Sequence, residues 1–514
     1  MATENSRAGA IGAWVERVGR RIPDPVILFM VFWPLAFVLT MLLGGYQFQS
    51  LGPGGETVTH EVRPMHHAEH VRWIFDNALL QNWLGFGGGV LAVILIVVMA
   101  VGVAEKSGLL GALIKRAGAH IPTRWLPLML VFLGIMSSMA TDAGYLILIP
   151  LAGMLYAGLG RNPLIGMAAA FAGVSAGFSA NLVPGPVDVI IGVNAQVFAE
   201  AQGVPFETAG GRTLVPLTMN YFFIATSTFV LALVGAWVTR RFVEPRLVDQ
   251  PWTPPEGLDA REFSLDDDER RGLRGAAWSL LPMLLVVGGL MAGPLAGFTD
   301  EAGRAVRPWQ DNIILLISLA FVMVGVGFGV AARRFGSLAD VVGAMVGQMN
   351  TMGYILVLTF FCYNFLGLLN YSGLGTLITH VGAQGLLTMG LQERPVLLLV
   401  GFILTTALIN LLVGGLTSKW MLLGPIFIPM LYAVNPQMTP DLVAAAFRVA
   451  DSSTNIVTPM MTYAGVVLAF MRKYRPGFAF GDMLLMMLPY SVVFLLVWTV
   501  LLVGFFVLGI PLGF

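Results

Sequence analysis

The stretch Phe447-Arg448-Val449-Ala450-Asp451-Ser452-Ser453-Thr454-Asn455 places two charged and four polar side chains inside the apolar segment 441–471. A helix that crosses the hydrocarbon core of a bilayer, roughly 30 Å thick, needs about 20 predominantly apolar residues. Segment 441–471 is longer than this, and the polar run followed by Pro459 interrupts it. Backbone groups at membrane depth must find partners within the protein. The stretch therefore predicts a broken helix that lines a site enclosed by protein.

The composition of the whole chain indicates a membrane protein. Its 514 residues are 57% hydrophobic and 11% charged, whereas soluble domains contain about 25% charged residues. Lys plus Arg and Asp plus Glu number 29 each, so no basic excess predicts nucleic acid as a partner. The polar and basic first residues lack the apolar core of a signal peptide, and we expect none. The one cysteine, Cys362, lies in an apolar run and is interpreted as a core residue.

Apolar stretches predict an all-α polytopic membrane protein. Two long blocks have polar, glycine-rich middles, and each is either a re-entrant hairpin or two full crossings. The hairpin interpretation gives nine transmembrane helices plus two re-entrant hairpins. The predicted parts are a cytoplasmic N-terminus 1–25, a first span with its outer loop 26–86, a first repeat 87–199 (hairpin about 125–159, broken helix about 163–199), scaffold spans 215–347 with a cytoplasmic loop 240–275, a second repeat 348–471 (hairpin about 395–434, broken helix about 441–471) and a last span 483–514.

The distribution of basic residues orients these spans. With the N-terminus inside, 21 of the 29 Lys and Arg residues fall in inside loops and 6 in outside loops. Cytoplasmic loops carry an excess of Lys and Arg. We therefore predict a multi-pass protein surrounded by the lipid of the cell inner membrane, with a cytoplasmic N-terminus and an extracytoplasmic C-terminus.

An internal repeat relates the two halves of the chain. From Thr141 and Thr417 onward the segments align without a gap, so that 154–157 matches 430–433 and 168–171 matches 444–447. After a slip of two residues, the run beginning at Ser179 resembles the run beginning at Ser453. In the predicted topology the first hairpin enters from the inside and the second from the outside. Inverted repeats with broken helices are typical of secondary transporters, whose site lies at the repeat interface.

Five charged residues lie at membrane depth, and all are at or near hairpin tips or helix breaks: Asp142, Asp188, Lys419, Arg448 and Asp451. Each such group costs about 2.5–3.5 kcal/mol by insertion scales, which favours a functional origin. Unwound carbonyls together with Ser, Thr and Asn oxygens suit Na⁺. The predicted cation-binding residues are Ser137, Ser138, Asn181, Thr417, Ser418, Asp451 and Asn455.

The individual residues have competing interpretations. Asp451 either binds Na⁺ or carries a proton, with a helix cap as the structural alternative. Arg448, three residues earlier, pairs with Asp451 or with a substrate carboxylate. We expect Lys419 to extend to the outer headgroups. Trp420 is either a stacking partner for an aromatic substrate or an interfacial anchor. Asp142 at the first tip is either functional or a cap.

Two loops carry charge or histidine clusters. The run Asp266-Asp267-Asp268-Glu269, in the predicted loop 240–275, is interpreted as part of a solvated linker. The outer loop 46–85 contains His60, His66, His67 and His70, and histidine clusters can bind metal. Because this loop is polar and lacks cysteine, we interpret it as a solvated loop.

The runs Ser418-Lys419-Trp420, 425–430 and 448–461 resemble the AbgT family, the p-aminobenzoyl-glutamate transporters of the ion-transporter superfamily. The resemblance covers nearly the whole chain. It implies a homodimer, with either uptake of p-aminobenzoyl-glutamate or export of sulfonamide antimetabolites. The functional positions that it implies are Asp188, Asn410, Trp420, Pro440, Arg448, Asp451 and Pro459. Ser418 at the second tip completes the predicted substrate-binding or ion-coupling set.

The sequence thus predicts a cation-coupled transporter of a small aromatic acid that is not an enzyme and uses Na⁺ or H⁺ rather than a cofactor. A dicarboxylate or citrate symporter of the same superfamily is the first alternative, although such sites usually show two full Ser-Asn-Thr motifs and the first tip here reads Ser137-Ser138. A passive channel is the second alternative. A membrane hydrolase is disfavoured because no nucleophile, base and acid share the midplane.

Overall fold

A computed structural model describes residues 24–51, 57–85, 90–118, 122–139, 144–253, 265–299, 305–411, 415–458, 461 and 463–514. The chain is largely helical. The first helices are α1 Pro25–Leu42, α2 Ala68–Asn77, α3 Val90–Lys106, α4 Leu109–Gly118, α5 Leu126–Met136, α6 Ile149–Gly158, α7 Pro163–Phe171 and α8 Pro186–Glu200. The middle helices are α9 Tyr221–Val238, α10 Glu244–Leu247, α11 Asp267–Ala292, α12 Pro308–Asp311, α13 Ile313–Ala331 and α14 Leu338–Met349.

The last third of the chain continues in the same way. Its helices are α15 Gly353–Ser372, α16 Leu374–Thr388, α17 Pro395–Asn410, α18 Leu416–Val434, α19 Pro440–Asn455, α20 Ala464–Tyr474 and α21 Phe480–Val507. Single turns of π or 3-10 helix occur at 78–84, 123–125, 137–139, 144–148, 172–176, 239–243, 350–352 and 391–393.

Two predicted outer loops contain β-structure, so the all-α prediction is wrong there. Strands β1 Gln47–Leu51 and β2 Thr57–Glu61 form an antiparallel pair in which Phe48 lies opposite His60. Strands β3 Phe298–Thr299 and β4 Ala305–Val306 form a second, shorter pair. The β-branched residues of β2, Thr57, Val58 and Thr59, favour an extended backbone over a polar coil.

Within the described part of the chain, seven helices are long and apolar enough to cross a membrane: 25–42, 221–247, 267–292, 313–331, 353–372, 416–434 and 480–507. Helices α5 and α6 are shorter, at 11 and 10 residues, or about 16 Å each at 1.5 Å per residue. That length suits a predicted hairpin arm, which does not cross. Helix α18 is long enough to cross, so the nine-span count remains a prediction.

Two turns that match in the predicted internal repeat have the same local geometry. Ser107 and Gly108 follow the end of α3. Ser372 is the last residue of α15, and Gly373 follows it. Both glycines have positive φ, +86° and +77°, a conformation that favours glycine. In each turn the buried serine hydroxyl donates to the carbonyl three residues earlier and accepts from the next leucine amide at 3.3 Å. The same local structure therefore recurs at the same place in each repeat.

The first broken helix is held against the first hairpin by glycine contacts. Helix α7 ends in the π turn 172–176, and the chain is irregular until α8 begins at Pro186. Helix α5 packs on this turn, where a Cβ on Gly173 would lie 2.2 Å from the Val131 carbonyl oxygen. Only glycine permits so close an approach of the two backbones. In the second repeat, α17 packs on α19 and α18 packs on α8 of the first repeat.

The acidic run 266–269 is not a solvated linker, and this interpretation is corrected. Asp266 is the N-cap of α11, and its carboxylate accepts from the Glu269 amide at 2.6 Å. The Asp266 amide donates in turn to the Glu269 carboxylate, and the two bonds form a capping box. The Glu269 side chain is buried and pairs with Lys115 at 2.9 Å and with Arg334. Acids in a first turn also match the helix dipole.

Candidate functional site

Arg448 and Asp188 form a buried ion pair that joins the two repeats. The Arg448 Nη1 atom lies 2.7 Å from the Asp188 Oδ1 atom, and both side chains are at most 2% exposed. Arg448 comes from α19 and Asp188 from the first turn of α8, directly after the first helix break. Of the two interpretations of Arg448, the pairing with Asp451 is therefore wrong, and the substrate carboxylate remains a prediction. Arg448 binds Asp188 of the other predicted repeat instead of Asp451 on its own helix.

The carboxylate of Asp188 has two further donors. Its Oδ2 atom accepts from the Asn181 side-chain amide at 3.0 Å and from the Gly185 backbone amide at 2.7 Å. The N-terminus of α8 adds a favourable dipole. Three donors therefore hold this buried carboxylate in place. Asn181, predicted as a cation ligand, thus supplies its amide group to Asp188 and leaves its carbonyl oxygen available.

A second buried ion pair lies within the second repeat. The Lys419 Nζ atom lies 2.5 Å from the Asp451 Oδ1 atom, with the two side chains 1% and 2% exposed. Lys419 also donates to the Asn410 side-chain oxygen. Asn410 in turn donates to the Asp451 carbonyl and to the Thr454 hydroxyl, both at 2.6 Å. The expectation that Lys419 extends to the headgroups is wrong, because a buried carboxylate is the stronger partner for its ammonium group.

Trp420 is completely buried, which excludes the interfacial-anchor interpretation in this conformation. Its indole nitrogen donates to the Ile191 carbonyl of α8 at 3.1 Å. Its ring packs against Phe198 and Phe447, with centroid distances of 6.1 and 4.7 Å. Because Phe447 precedes Arg448, this aromatic cluster is adjacent in sequence to the guanidinium group.

The remaining predicted residues occupy varied positions. Ser137 donates to the Gly134 carbonyl at 2.6 Å, and Ser138 and Ser418 are also buried. Thr417 and Asn455 are half-buried. Pro440 is the first residue of α19. Pro459, together with Thr141 and Asp142, lies outside the described residues.

Several buried polar atoms near the pairs have no hydrogen-bond partner among the described residues. They are the Ser179 hydroxyl, the Asn181 Oδ1 atom, the Arg448 Nε atom and the Ser452 hydroxyl. Buried polar groups are normally satisfied by protein, water or a ligand. The oxygen atoms of Ser179 and Asn181 fit a hard cation such as Na⁺, and the free Arg448 nitrogen fits an anionic oxygen.

The two ion pairs are closed off from solvent, because their four side chains are at most 2% exposed. A cavity beside the aromatic cluster, lined in part by Phe198 and Met421, measures about 30 Å³. A cavity that admits benzene is several times larger, about 150 Å³. Another cavity, of about 550 Å³, lies at the start of α19, where Arg212 and Asp441 line it. An aromatic acid therefore reaches the buried pairs only after a rearrangement.

The histidine cluster of the outer loop is partly assembled. Ligand atoms of His67, Glu69 and His70 lie within 4.8 Å of one another. His67 and Glu69 are exposed, and the His70 Nδ1 atom lies 3.0 Å from the Tyr371 hydroxyl. The cluster belongs to the surface, in contrast to the two buried ion pairs.

Residues 11–514 match the AbgT putative transporter family. The chain belongs to the AbgT family of transporters. It is 30% identical to the p-aminobenzoyl-glutamate transport protein of Escherichia coli K12, over 99% of this chain and 97% of that protein. As an AbgT-family protein with several long apolar helices, it is a multi-pass membrane protein.

Two solved AbgT-family structures share its fold. The crystal structure of the Alcanivorax borkumensis YdaH transporter matches with a TM-score of 0.85 and 36% identity, over 96% of this chain and all of that one. The Neisseria gonorrhoeae MtrF structure, described as illuminating a class of antimetabolite efflux pumps, matches with a TM-score of 0.85 and 33% identity, over 96% of this chain and 97% of that one.

In this AbgT-family protein, sequence reasoning missed the role of Lys419 as the partner of Asp451. One signal was present in the sequence, since Lys419 lies at the second hairpin tip and the aligned position of the first repeat is Ala143. A cation and an acid that both appear in one repeat only are candidates for a pair. The contact between Thr454 and Asn410 was also missed, because the sequence shows Thr454 only as one member of a polar run.

Proposed function

We propose that this protein is a secondary transporter that moves p-aminobenzoyl-glutamate, a related aromatic acid or a sulfonamide antimetabolite across the cell inner membrane by cation-coupled alternating access. The Arg448–Asp188 pair carries the proposal, because it joins the two repeats at a helix break. A substrate carboxylate competes with Asp188 for the guanidinium group. Such an exchange would loosen the contact between the repeats as the substrate binds.

The neighbourhood of Arg448 supports an aromatic acid as the substrate class. The guanidinium group offers a site for a carboxylate, and Trp420, Phe198 and Phe447 offer ring contacts nearby in the fold. The names of the E. coli and Neisseria relatives, a p-aminobenzoyl-glutamate transport protein and an antimetabolite efflux pump, support the same class. The near-complete burial of the two ion pairs supports a mechanism in which the site opens and closes.

The coupling cation is proposed to act at the two breaks. The Ser179 and Asn181 oxygen atoms offer one place for Na⁺, and the Asp451 carboxylate offers a place for Na⁺ or a proton. Binding of a cation there compensates the negative charge that the substrate brings. No organic cofactor enters this proposal.

The test is uptake into vesicles that contain the purified protein. We expect p-aminobenzoyl-glutamate and a sulfonamide to be transported with saturation, and only under an imposed Na⁺ or proton gradient. Succinate should not compete, and competition by succinate would favour a dicarboxylate symporter. Uptake that neither saturates nor needs a gradient would show a passive channel instead. If Asp451→Asn transported as well as the parent, Asp451 would have no central role.

We also propose a homodimer in the membrane. Helix α11 leaves large apolar side chains exposed, including Trp278 at 77% and Leu285 at 69%, and exposed apolar surface of this kind faces lipid or a partner. Light scattering with the detergent contribution subtracted should give twice the chain mass of 55.2 kDa. A mass of one chain would contradict the dimer.

A further inference from the structure

The ammonium group of Lys419 occupies a position surrounded by the oxygen atoms that a free cation would use. The Asp451 carboxylate and the Asn410 side-chain oxygen both contact Nζ. Carboxylate, amide and hydroxyl oxygens are the ligands that proteins offer to hard cations. We propose that Lys419 is a tethered cation that takes the place of a sodium ion beside Asp451. This inference rests on the proposed function and deepens it, because it leaves the first break as the place for a free Na⁺.

Charge dominates this contact. Nζ lies 2.5 Å from the Asp451 Oδ1 atom, and both side chains are at most 2% exposed. Water screens such a buried pair little, so the carboxylate attracts any positive charge at this position. A metal cation would be attracted by the Asp451 carboxylate in the same way, so the Lys419 ammonium group and a metal cation can replace each other at this position.

Asn410 holds the position in place from the other side. Its carbonyl oxygen faces Lys419, while its amide group donates to the Asp451 carbonyl and to the Thr454 hydroxyl. The amide is thereby fixed with its oxygen toward the cation. The oxygen ligands remain where they are if the lysine head is removed.

The two repeats differ at this position in a correlated way. The residue aligned with Lys419 in the first repeat is Ala143, and the segment 172–178 that matches the surroundings of Asp451 contains no acid. Both members of the ion pair are therefore absent from the first repeat. There the Ser179 and Asn181 oxygen atoms have no partner among the described residues. It follows that the first repeat leaves room for a free cation, whereas the second repeat carries its own.

The proposal predicts that removing the lysine head creates a sodium site. In Lys419→Ala, Na⁺ should raise the melting temperature of the purified full-length protein by several degrees more than it does in the parent, with N-methyl-D-glucamine as the control cation. The gain should be saturable and should disappear in Lys419→Ala/Asp451→Asn. Lys419→Arg, which keeps a positive charge, should show no gain. Lys419→Met, which keeps most of the stem, is tested in parallel.

The outcomes separate the proposal from its rivals. A gain of Na⁺ stabilisation that depends on Asp451 supports the tethered cation. An Asp451-dependent response to pH without a response to Na⁺ overturns it, because the vacated place then takes a proton only. Failure of both Lys419→Ala and Lys419→Met to fold at any Na⁺ concentration also overturns it, since no free ion then replaces the lysine.

These measurements need no substrate. A parent protein that fails to transport p-aminobenzoyl-glutamate under either gradient would refute the proposed function and leave the Na⁺-binding result to be judged by itself. Conversely, a parent that transports and a Lys419→Ala variant without any gain would refute the tethered cation alone.

Discussion

At the scale of residues, the chemistry is concentrated in Arg448, Asp188, Lys419 and Asp451, whose charges are buried and paired. Removing one member of a buried pair leaves the other charge without compensation, which costs about 3–5 kcal/mol. These residues are therefore expected to contribute both to transport and to the stability of the fold. Variants must be chosen so that the two contributions can be measured separately.

For the Arg448–Asp188 pair we expect Arg448→Met to abolish uptake and to lower the free energy of unfolding by about 3–5 kcal/mol. The double variant Arg448→Met/Asp188→Asn should recover much of the stability and none of the transport. Thermal melting and vesicle uptake measure the two effects. Arg270→Met is the matched control, because Arg270 is exposed and lies 4.0 Å from Asp267. Transport by the double variant at the parental rate would contradict a substrate role for Arg448.

For Trp420 we expect the loss of one hydrogen bond to be measurable. Trp420→Phe keeps the aromatic contacts with Phe198 and Phe447 and removes the donor to the Ile191 carbonyl. The free energy of unfolding should fall by about 1–3 kcal/mol, because a buried carbonyl then lacks a partner. Trp83→Phe, which removes a partly buried indole donor to Thr359, is the control and should cost less. An unchanged melting temperature in Trp420→Phe would show that water replaces the indole.

The sequence could identify which residues carry charge at membrane depth, but not their partners. The spacing of Arg448 and Asp451 favours a contact along one helix, whereas each residue pairs with a group far away in sequence, Asp188 and Lys419. Helix spacing describes local neighbours only. Pairing between repeats depends on how α8, α18 and α19 pack, which no local pattern contains.

At the scale of elements, the first helix break depends on a close contact between backbones. A Cβ on Gly173 would meet the Val131 carbonyl, and a Cβ on Gly134 would meet the Val174 amide nitrogen at 2.7 Å. We expect Gly173→Ala to force α5 away from the break and to lower both folded yield and transport. Gly158→Ala is the control, since its Cβ would meet nothing within 4 Å. Gel filtration measures the folded yield of the two variants, and thermal melting measures their stability. Equal yields and equal melting temperatures would contradict the contact.

Helix α11 gives a second test at this scale. Glu269 closes a capping box and neutralises Lys115 in a buried position. We expect Glu269→Gln to lower the free energy of unfolding by about 1–3 kcal/mol, because it leaves the lysine without a counter-charge. Asp267→Asn, at an exposed position of the same turn, should change it little. Equal melting temperatures for the two variants would show that Lys115 finds another partner.

Element types and breaks could be predicted better than the ends of elements. The predicted loop 240–275 extends beyond the start of α11, which begins at Asp267, where the acidic run caps it. Acidic, polar residues reduce the hydropathy of a first turn even though they stabilise a helix start. The β-pairs of the outer loops were missed for a related reason, because strands of two to five residues carry too little periodicity.

At the scale of the whole molecule, the proposed orientation can be tested by labelling. The chain's one cysteine, Cys362, is buried, so introduced cysteines report on their own positions. We expect a membrane-impermeant maleimide to label Gly210→Cys in intact spheroplasts and Gly336→Cys only after permeabilisation. Both glycines are exposed and neither has positive φ. The reverse pattern would invert the topology while leaving the fold unchanged.

The two buried ion pairs also determine how the protein responds to membrane voltage. Their four charges sum to zero, so under alternating access the reorientation of the empty site displaces no net charge from these groups. Each uncompensated elementary charge that crosses the field corresponds to about 2.3 kcal/mol per 100 mV. Voltage would then act on the loaded protein through the substrate and its cation, and the current per turnover would count their charges alone.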